Sequence, residues 1–367
     1  MKKKILFIIW SYSYGGGAER VLTNIVNNLD SSKYDIDILE YLYVGIKKED
    51  INDNINLLGP VINMTNRTFI NRLKNFIKDK MVYKIPKFLR KKYIKNKYDV
   101  EIAFNYLIPS FLLDYNTKTI GWCHGAIYDL NDNNRLKKLQ KRYYDKINKI
   151  VAISNKTYKS VEEVYPEYKN KVELIYNGFD KQNILNKIND YNSEEIDILY
   201  CGRFDENKNP CKFIEIIKNI KLVKNNIKAG MLGIGELEDE VKKLIDDYNL
   251  NDNVILYGYK NNPYPIINKT KIMCLTSYSE GFPTVLMEGM ILGKPFITTN
   301  VAGVDEMANN NMCGFISNDN NELSKYAIEL LNNKTLYKDM SINSKKHSER
   351  FVLSNQIKNI EKIIDEV

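Results

Sequence analysis

The segment "SEGFPTVLME" at residues 279–288 sets two glutamates eight positions apart, on either side of a Gly-Phe-Pro turn. Pro283 suits the first position of a helix through "TVLMEGMIL", whose first amides would face a ligand with the positive end of the helix dipole behind them. Glu280 and Glu288 can each accept hydrogen bonds from hydroxyl groups. The pattern predicts an anion site flanked by two carboxylates, with an ordinary turn and an exposed helix glutamate as the alternative. The amides belong to Gly281, Phe282 and Thr284.

Two cations and a histidine follow other apolar runs. In "CGRFDENKNP" a strand is expected to end at Cys201 and Gly202, which places Arg203 and Lys208 on the next loop. Fixed cations at a strand end can stabilise negative charge on a bound ligand, although two solvated surface cations are the alternative. His124 in "TIGWCHGA" also lies just past an expected strand, whereas His347 in "KKHSER" is expected to be solvated.

Glycines mark two further turns at strand ends. The stretch "SYSYGGGAER" follows the first expected strand and opens the first helix, so Gly16 and Gly17 would let backbone approach a bound anion. It is not a dinucleotide fingerprint, because Arg20 stands where the third glycine is required. Gly235 lies in a similar turn, "GIGELE". A tight packing turn is the alternative at both places.

The elements that carry these residues repeat along the chain. Short apolar runs alternate with amphipathic stretches, which is typical of a parallel sheet covered by helices on both faces. The pattern predicts an α/β chain of two doubly wound, Rossmann-like domains whose strand ends face an interdomain cleft. The expected domains are residues 1–180 and 181–350. A C-terminal helix at 351–367 is expected to pack back on the first domain, and the polar run 181–195 is expected to be a linker.

One segment departs from this alternation. Residues 71–98 hold eleven lysines and arginines and a single acid, Asp79, interleaved with apolar and aromatic residues. A pair of basic amphipathic helices lying on an anionic bilayer would explain this composition. A solvated surface helix is the equal alternative. A nucleic-acid patch is the weakest reading, because no stacking motif accompanies the cations.

Composition limits the expected partners, the redox state of the cysteines and the location of the protein. The formal net charge of +8 is compatible with an anionic partner, and the five cysteines show no CxxC spacing, so buried reduced thiols are expected. No apolar stretch is long enough to span a membrane, which favours a cytoplasmic protein. Asp35 and Asp37 alternate with apolar residues in an expected strand, so they are predicted to share an outward face. We expect no metal and no cofactor.

The pattern E-G-F-P-x-V-x-x-E at 280–288 resembles the signature of family 4 of the retaining nucleotide-sugar glycosyltransferases, which have the GT-B fold and assemble bacterial surface or lipid-linked glycans. The resemblance implies that Glu280 contacts the transferred sugar, that Glu288 holds the ribose, and that His124 lies beside the reacting carbon. It also implies that residues 1–180 form the acceptor-side domain and that residues 181–350 bind the nucleotide sugar. The loop with Gly16 and Gly17 would lie against the donor phosphates and the acceptor. The other implied donor contacts are Arg203 and Lys208 on the diphosphate, and Gly202, Gly235, Tyr259, Lys260, Gly281, Phe282, Pro283 and Thr284 around the nucleotide and phosphates.

The activity that this resemblance implies is retaining, metal-independent transfer of a hexose or N-acetylhexosamine from a UDP-sugar to a hydroxyl of a glycan acceptor. If residues 71–98 bind a membrane, a lipid-linked acceptor is expected, as in capsule or lipopolysaccharide synthesis, with the enzyme peripheral on the inner face of the cell membrane. The alternatives are a nucleotide-sugar 2-epimerase and a catalytically silent protein that binds sugar nucleotides. No nucleic-acid partner is expected.

Overall fold

The computed structural model describes residues 2–46, 50–105, 107–127 and 134–367. Its contacts divide the chain into two compact units. Unit 1 comprises Met1–Gly178 together with Leu353–Val367, and unit 2 comprises Phe179–Val352. The chain therefore leaves unit 1 once and returns to it once.

Unit 1 is built on a parallel sheet. Its first strand buries five consecutive apolar residues, Ile5–Ile9, which suits a strand covered on both faces. Within the described residues the strand order is β4-β2-β1-β6-β7-β8-β9, and β3 pairs with β5 in a separate ribbon. The strands are β1 Lys3–Ile9, β2 Tyr34–Glu40, β3 Leu42–Tyr43, β4 Asn56–Leu58, β5 Ile62–Asn63, β6 Val100–Ala103, β7 Lys118–Cys123, β8 Lys149–Ala152 and β9 Val172–Leu174.

Helices connect these strands and cover the sheet. Those of the N-terminal part are α1 Gly17–Asn28, α2 Phe69–Lys84, α3 Pro86–Tyr93, α4 Leu107–Phe111, α5 Asn134–Tyr144 and α6 Asn155–Val164. The C-terminal helix Leu353–Glu366 also belongs to unit 1: Lys3 Nζ lies 3.0 Å from Asp365 Oδ1, and Gly178 N donates to Gln356 Oε1 at 2.9 Å.

Unit 2 repeats the same architecture, with strand order β12-β11-β10-β13-β14-β15. Its strands are β10 Ile196–Cys201, β11 Ala229–Leu232, β12 Val254–Gly258, β13 Thr270–Leu275, β14 Phe296–Thr298 and β15 Gly314–Ile316. Its helices are α7 Lys181–Asn186, α8 Pro210–Val223, α9 Glu238–Asp247, α10 Tyr264–Lys269, α11 Thr284–Ile291, α12 Val304–Ala308, α13 Asn320–Asn332 and α14 Lys334–Ser348, and the helix Leu353–Glu366 of unit 1 is α15. The predicted α/β class with two Rossmann-like domains is confirmed.

The basic segment forms two helices, α2 and α3, and a set of contacts fixes them on unit 1. Arg90 makes a two-pronged ion pair with the buried Glu101, with distances of 2.9 and 2.5 Å. Lys78 donates a hydrogen bond to the Val61 carbonyl at 2.6 Å, so its ammonium group has a partner within unit 1. The outward side of the pair carries large apolar side chains, which we call the apolar face: Phe69, Ile70, Leu73, Phe76, Ile77 and Phe88.

Two expectations about polar residues are wrong. The run 181–195 is part of unit 2 and not a linker: Asp180 caps α7, and Tyr191 donates to the Asn262 carbonyl at 2.7 Å. Asp37 does not face outward, because residues 96–98 return over it, where the Tyr98 hydroxyl donates to its carboxylate. In both cases a polar residue is satisfied by a partner far along the chain.

All five cysteines are free thiols, as expected. Cys123, Cys274 and Cys313 are buried, and Cys201 and Cys211 are half-buried. None of the helices in the described part of the chain combines the length and apolar character needed to cross a bilayer.

Candidate functional site

The predicted cations and the first glutamate leave neighbouring strands of unit 2. Strands β10 and β13 pair in parallel, with Tyr200 opposite Cys274. Because both strands run in the same direction, the loops 202–209 and 276–283 leave the sheet at the same edge. The carboxyl edge of a doubly wound sheet is where ligands bind.

An ion pair joins these two loops. Lys208 Nζ lies 2.5 Å from Glu280 Oε1, and the Ser277 hydroxyl donates to the same oxygen at 2.7 Å. The side chains of Lys208 and Glu280 are 24% and 12% exposed, so solvent screens the pair less than an ordinary surface pair. The pair orients the ammonium group, which remains partly accessible to an anionic ligand.

Asp205 organises the second cation. Its Oδ2 lies 2.9 Å from Arg203 Nη2, and its Oδ1 accepts a hydrogen bond from the Lys208 amide at 2.8 Å. The Arg203 side chain is about half exposed. One carboxylate thus orients the guanidinium and fixes the backbone that carries Lys208. Guanidinium and ammonium groups on one loop suit the recognition of phosphate oxygens.

Backbone contacts hold the two loops together independently of the ion pair. Asn207 Nδ2 donates to the Ser279 carbonyl at 3.0 Å, and the Tyr278 amide donates to the Asn207 carbonyl at 2.8 Å. The Thr276 hydroxyl donates to the Asn209 carbonyl at 2.9 Å. The geometry around Lys208 and Glu280 is therefore set before any ligand binds.

Close backbone approach explains two glycines of the next loop. Gly233 has a φ of +141°, and a Cβ there would lie 1.8 Å from the Gly202 carbonyl oxygen. A Cβ on Gly235 would lie 2.3 Å from the Phe204 carbonyl oxygen. The loops after β10 and β11 pack at a distance that only glycine permits. The predicted site residues Gly202 and Gly235 thus shape the loop that carries Arg203.

The Gly-Phe-Pro turn opens α11 one residue later than expected. Pro283 is the N-cap and the helix begins at Thr284, because the Pro283 ψ of 103° is extended. Phe282 packs its ring against Phe351, with a centroid distance of 5.3 Å, so its side chain belongs to the interior. Glu288 lies one turn into α11 and is buried.

The remaining residues predicted for unit 2 lie on the same loop as Glu280, at the start of α11 or after β12. Tyr259 and Lys260 follow β12, are both exposed, and form the next turn along the same sheet edge. Gly281 lies buried at the turn, and Thr284 is half-buried at the helix start. His347 is not solvated as expected: it is buried against Phe351, and its Nε2 lies 2.6 Å from the Glu306 carbonyl oxygen.

His124 directly follows β7 in unit 1. Its ring lies edge-on to Phe104, with a centroid distance of 4.7 Å. Nε2 is buried and has no hydrogen-bond partner among the residues that the structure describes. Burial lowers the pKa of His124 to about 3, so the ring is neutral near pH 7. A neutral imidazole with an unused buried nitrogen suits a hydroxyl group better than an anion.

The glycine loop of unit 1 has its own carboxylate. Gly16 is the N-cap of α1 and Gly17 its first residue. A Cβ on Gly16 would lie 2.7 Å from Oε2 of the buried Glu19, so that carboxylate already lies over the start of the helix. The position of Glu19 weighs against a second anion at Gly16 and Gly17, and it leaves neutral hydroxyl groups as the better ligand there.

Neither unit, within its described residues, contains a group of three or more histidine, cysteine or acidic side chains placed to hold a metal ion. Unit 2 thus offers fixed cations with a paired carboxylate, and unit 1 offers a neutral imidazole and a glycine loop.

Two family models together match residues 15–347. The model of glycosyltransferase family 4 matches residues 15–183, and that of the group 1 glycosyl transferases matches residues 181–347. The chain belongs to family 4 of the glycosyltransferases. The resemblance carried by Glu280 and Glu288 is confirmed at the level of the family, and glycosyl transfer is the activity of this class.

Relatives match along the whole chain. An uncharacterized glycosyltransferase of Haemophilus influenzae is 27% identical, with 99% of this chain and 98% of the relative covered. An α-1,4-N-acetyl-D-galactosaminyltransferase of Campylobacter jejuni, whose name gives a glycan on diphospho-undecaprenol, is 26% identical with 99% of each covered. The crystal structure of Anabaena HepE with UDP-glucose has a TM-score of 0.75 at 16% identity, covering 99% of this chain and all of HepE, and it supports the GT-B fold.

Several residues that complete this arrangement were not predicted. Ser277, Asn207 and Asp205 hold Glu280, Lys208 and Arg203 in place. Asp205 binds the Lys208 amide and Ser277 binds the Glu280 side chain, in each case three residues further along the chain. This spacing is typical of short polar side chains that stabilise turns. Gly233 could have been predicted from the sequence, since it is the first glycine of "GIGELE".

Proposed function

We propose that this family 4 enzyme transfers a hexose or N-acetylhexosamine from a UDP-sugar to a hydroxyl of a lipid-linked glycan, with retention of anomeric configuration and without a metal ion. The observation that carries the proposal is the Lys208–Glu280 ion pair beside Arg203 at one sheet edge. The UDP-glucose of HepE and the lipid-linked glycan in the name of the Campylobacter relative support the choice of donor and acceptor.

In this proposal the cations stabilise the leaving group. As the sugar–oxygen bond breaks, the nucleoside diphosphate gains negative charge, and Lys208 and Arg203 are fixed beforehand to meet that charge. Ser277 and Lys208 together orient Glu280, so that its second carboxylate oxygen can accept a hydrogen bond from a sugar hydroxyl. Glu288 holds the ribose hydroxyls. Because the cations act in place of a metal, activity should persist in EDTA.

The acceptor side of the reaction is proposed for unit 1. The glycine loop and the neutral His124 are suited to hydroxyl groups, as their geometry indicates. The acceptor oxygen would attack the face from which the diphosphate leaves, and the leaving phosphate oxygen would take its proton. No side chain is then required as nucleophile or base.

We also propose that the apolar face of α2 and α3 rests on an anionic membrane at the inner face of the cell membrane. Phe69 is 80% exposed and Phe88 is 64% exposed, in a segment that carries lysines on both helices. Exposed aromatic residues with basic neighbours favour insertion at the level of anionic headgroups. The Arg90–Glu101 ion pair anchors α3 to β6.

The test is an assay of the purified chain with UDP-N-acetylgalactosamine, UDP-N-acetylglucosamine and UDP-glucose, and with N-acetylgalactosamine on undecaprenyl diphosphate as acceptor. We expect transfer in the presence of EDTA, and an α anomeric proton in the NMR spectrum of the product. A β product would refute retention, and activity restored only by a divalent ion would refute metal independence. Binding of UDP-sugars without turnover, or C2 epimerisation of the donor, would favour the two alternative functions.

A further inference from the structure

A buried carboxylate grips the glycine loop of unit 1 from the neighbouring strand. Glu40 is the last residue of β2 and is 2% exposed. Its Oε1 accepts hydrogen bonds from the Tyr12 amide at 2.8 Å and from the Ser13 hydroxyl at 2.7 Å, with the Ser11 hydroxyl at 3.5 Å. One oxygen atom therefore fixes the three residues that lead into Gly15, Gly16 and Gly17.

The same contact extends to a second loop. The Ser13 hydroxyl accepts a hydrogen bond from the Val44 amide at 2.8 Å, and the Ser13 carbonyl accepts one from the Ile46 amide at 2.9 Å. On the other side, the Trp10 amide donates to Asn105 Oδ1 at 3.0 Å. The strand-end loops after β1 and β3 thus share Ser13, which Glu40 holds in place.

This arrangement costs stability. Burial raises the pKa of Glu40, although the hydrogen bonds from Ser13 and Tyr12 oppose that shift. An apolar residue would satisfy a buried strand end at lower cost. Within the described part of the chain, the donors that bind the Glu40 carboxylate all belong to the loop after β1. This is better explained by the need for a defined loop geometry than by the stability of the sheet.

We propose that Glu40 is a positioning residue for glycosyl transfer, acting through Ser13 and Tyr12 to fix the glycine loop against the reacting groups. This inference rests on the proposed function, in which that loop faces the acceptor hydroxyl. Glu40 itself touches no substrate. Its loss should therefore lower turnover without weakening the binding of UDP, which the proposal assigns to unit 2.

Asp37 provides a matched control on the same strand. It is also buried, but its carboxylate accepts hydrogen bonds from Asn56 and Tyr98 and does not contact the glycine loop in the described structure. Asp37→Asn therefore removes a buried carboxylate from the same strand and perturbs the same sheet. A purely structural role for Glu40 predicts that Glu40→Ala and Asp37→Asn behave alike.

The experiment compares wild type, Glu40→Ala, Glu40→Gln and Asp37→Asn in the transfer assay above, with UDP affinity measured by calorimetry. For Glu40→Ala we expect kcat to fall about 10-fold or more while the Kd for UDP changes less than about 2-fold, since loop misplacement acts on the transition state. Glu40→Gln keeps an acceptor oxygen and should retain kcat within about 3-fold of wild type. Asp37→Asn should leave kcat within about 2-fold despite a lower Tm.

A Glu40→Ala enzyme with near-normal kcat, or a parallel loss in Asp37→Asn, would overturn the positioning role. If Glu40→Ala does not fold, Ser13→Ala tests the same contact, and an unchanged kcat in that variant would also overturn it. A wild-type chain that neither binds UDP nor turns over these UDP-sugars would instead refute the proposed function, and the inference would lose its basis with it.

Discussion

The carboxyl edges of the two sheets differ in the charged side chains that they carry. In unit 2 the loops after β10 and β13 carry Arg203, Lys208 and Glu280 as ion-paired, mutually oriented groups. In unit 1 the corresponding edge holds a neutral His124 and a carboxylate, Glu40, whose pKa is raised by burial. The same architecture thus builds an edge with fixed cations suited to a diphosphate and an edge with a neutral imidazole suited to hydroxyl groups.

The largest effect is expected from removing Lys208, the cation that pairs with Glu280 at the edge of unit 2. Lys208→Ala deletes a charge that the proposal places on the departing diphosphate and leaves Glu280 without its ion pair. We expect kcat/KM to fall by about 100- to 1,000-fold, with UDP bound more weakly and little change in Tm. Steady-state kinetics and calorimetry measure both quantities.

Lys242→Ala is the matched control, because it removes a surface ion pair with Glu238 at a similar distance, 2.7 Å. That variant should keep wild-type kinetics. Near-normal turnover by Lys208→Ala would show that the charged edge of unit 2 does not take part in the reaction.

A second prediction concerns the close packing of the loops after β10 and β11 at the edge of unit 2. Gly233→Ala would force a Cβ into the Gly202 carbonyl at a φ of +141°, so we expect the free energy of unfolding to fall by about 3 kcal/mol. Gly258→Ala, at a φ of +63° with open space around the added atom, should cost about 1 kcal/mol. Urea denaturation compares the two, and equal losses would refute the close-packing argument.

Part of this picture followed from the sequence. Strand and helix alternation sufficed for the fold, and Lys208 and Glu280 were found because a motif and a strand end coincide at each. The ion pair between them was not predicted, since the two residues are 72 positions apart and only the pairing of β10 with β13 joins them. His347 was misjudged because Glu306, whose carbonyl oxygen its ring contacts, is 41 positions away in sequence.

The neutral imidazole of unit 1 is tested by pH. The pKa of His124 is about 3 in the folded chain and near 6.5 when unfolded, so the unfolded state gains a proton first as the pH falls. The free energy of unfolding should therefore fall by about 2 kcal/mol between pH 6.5 and 5 through this residue. In His124→Asn that share of the pH dependence should disappear. Urea titrations at several pH values measure the difference, and identical slopes would contradict a neutral buried ring.

The smallest expected effect concerns the apolar face, which only unit 1 carries in the proposal. Replacing Phe69, Phe76 and Phe88 with serine should weaken binding to vesicles containing phosphatidylglycerol by about 10-fold, and the loss should persist at high salt because apolar contacts are removed. Leu222→Ser with Val223→Ser removes comparably exposed apolar side chains from unit 2. Equal losses in vesicle sedimentation from both sets would show that exposure alone, and not this face, determines binding.

The return of α15 to unit 1 has a consequence for synthesis. Unit 2 is one continuous stretch, Phe179–Val352, whereas unit 1 needs Leu353–Val367 to complete its packing. Gly178 lies so close to this returning segment that a Cβ there would be 2.7 Å from the Leu353 Cα. On the ribosome, where domains fold as they emerge, Met1–Gly178 emerges before unit 2 but cannot complete its packing without Leu353–Val367. The two segments of unit 1 therefore meet only after all of unit 2 has been synthesised.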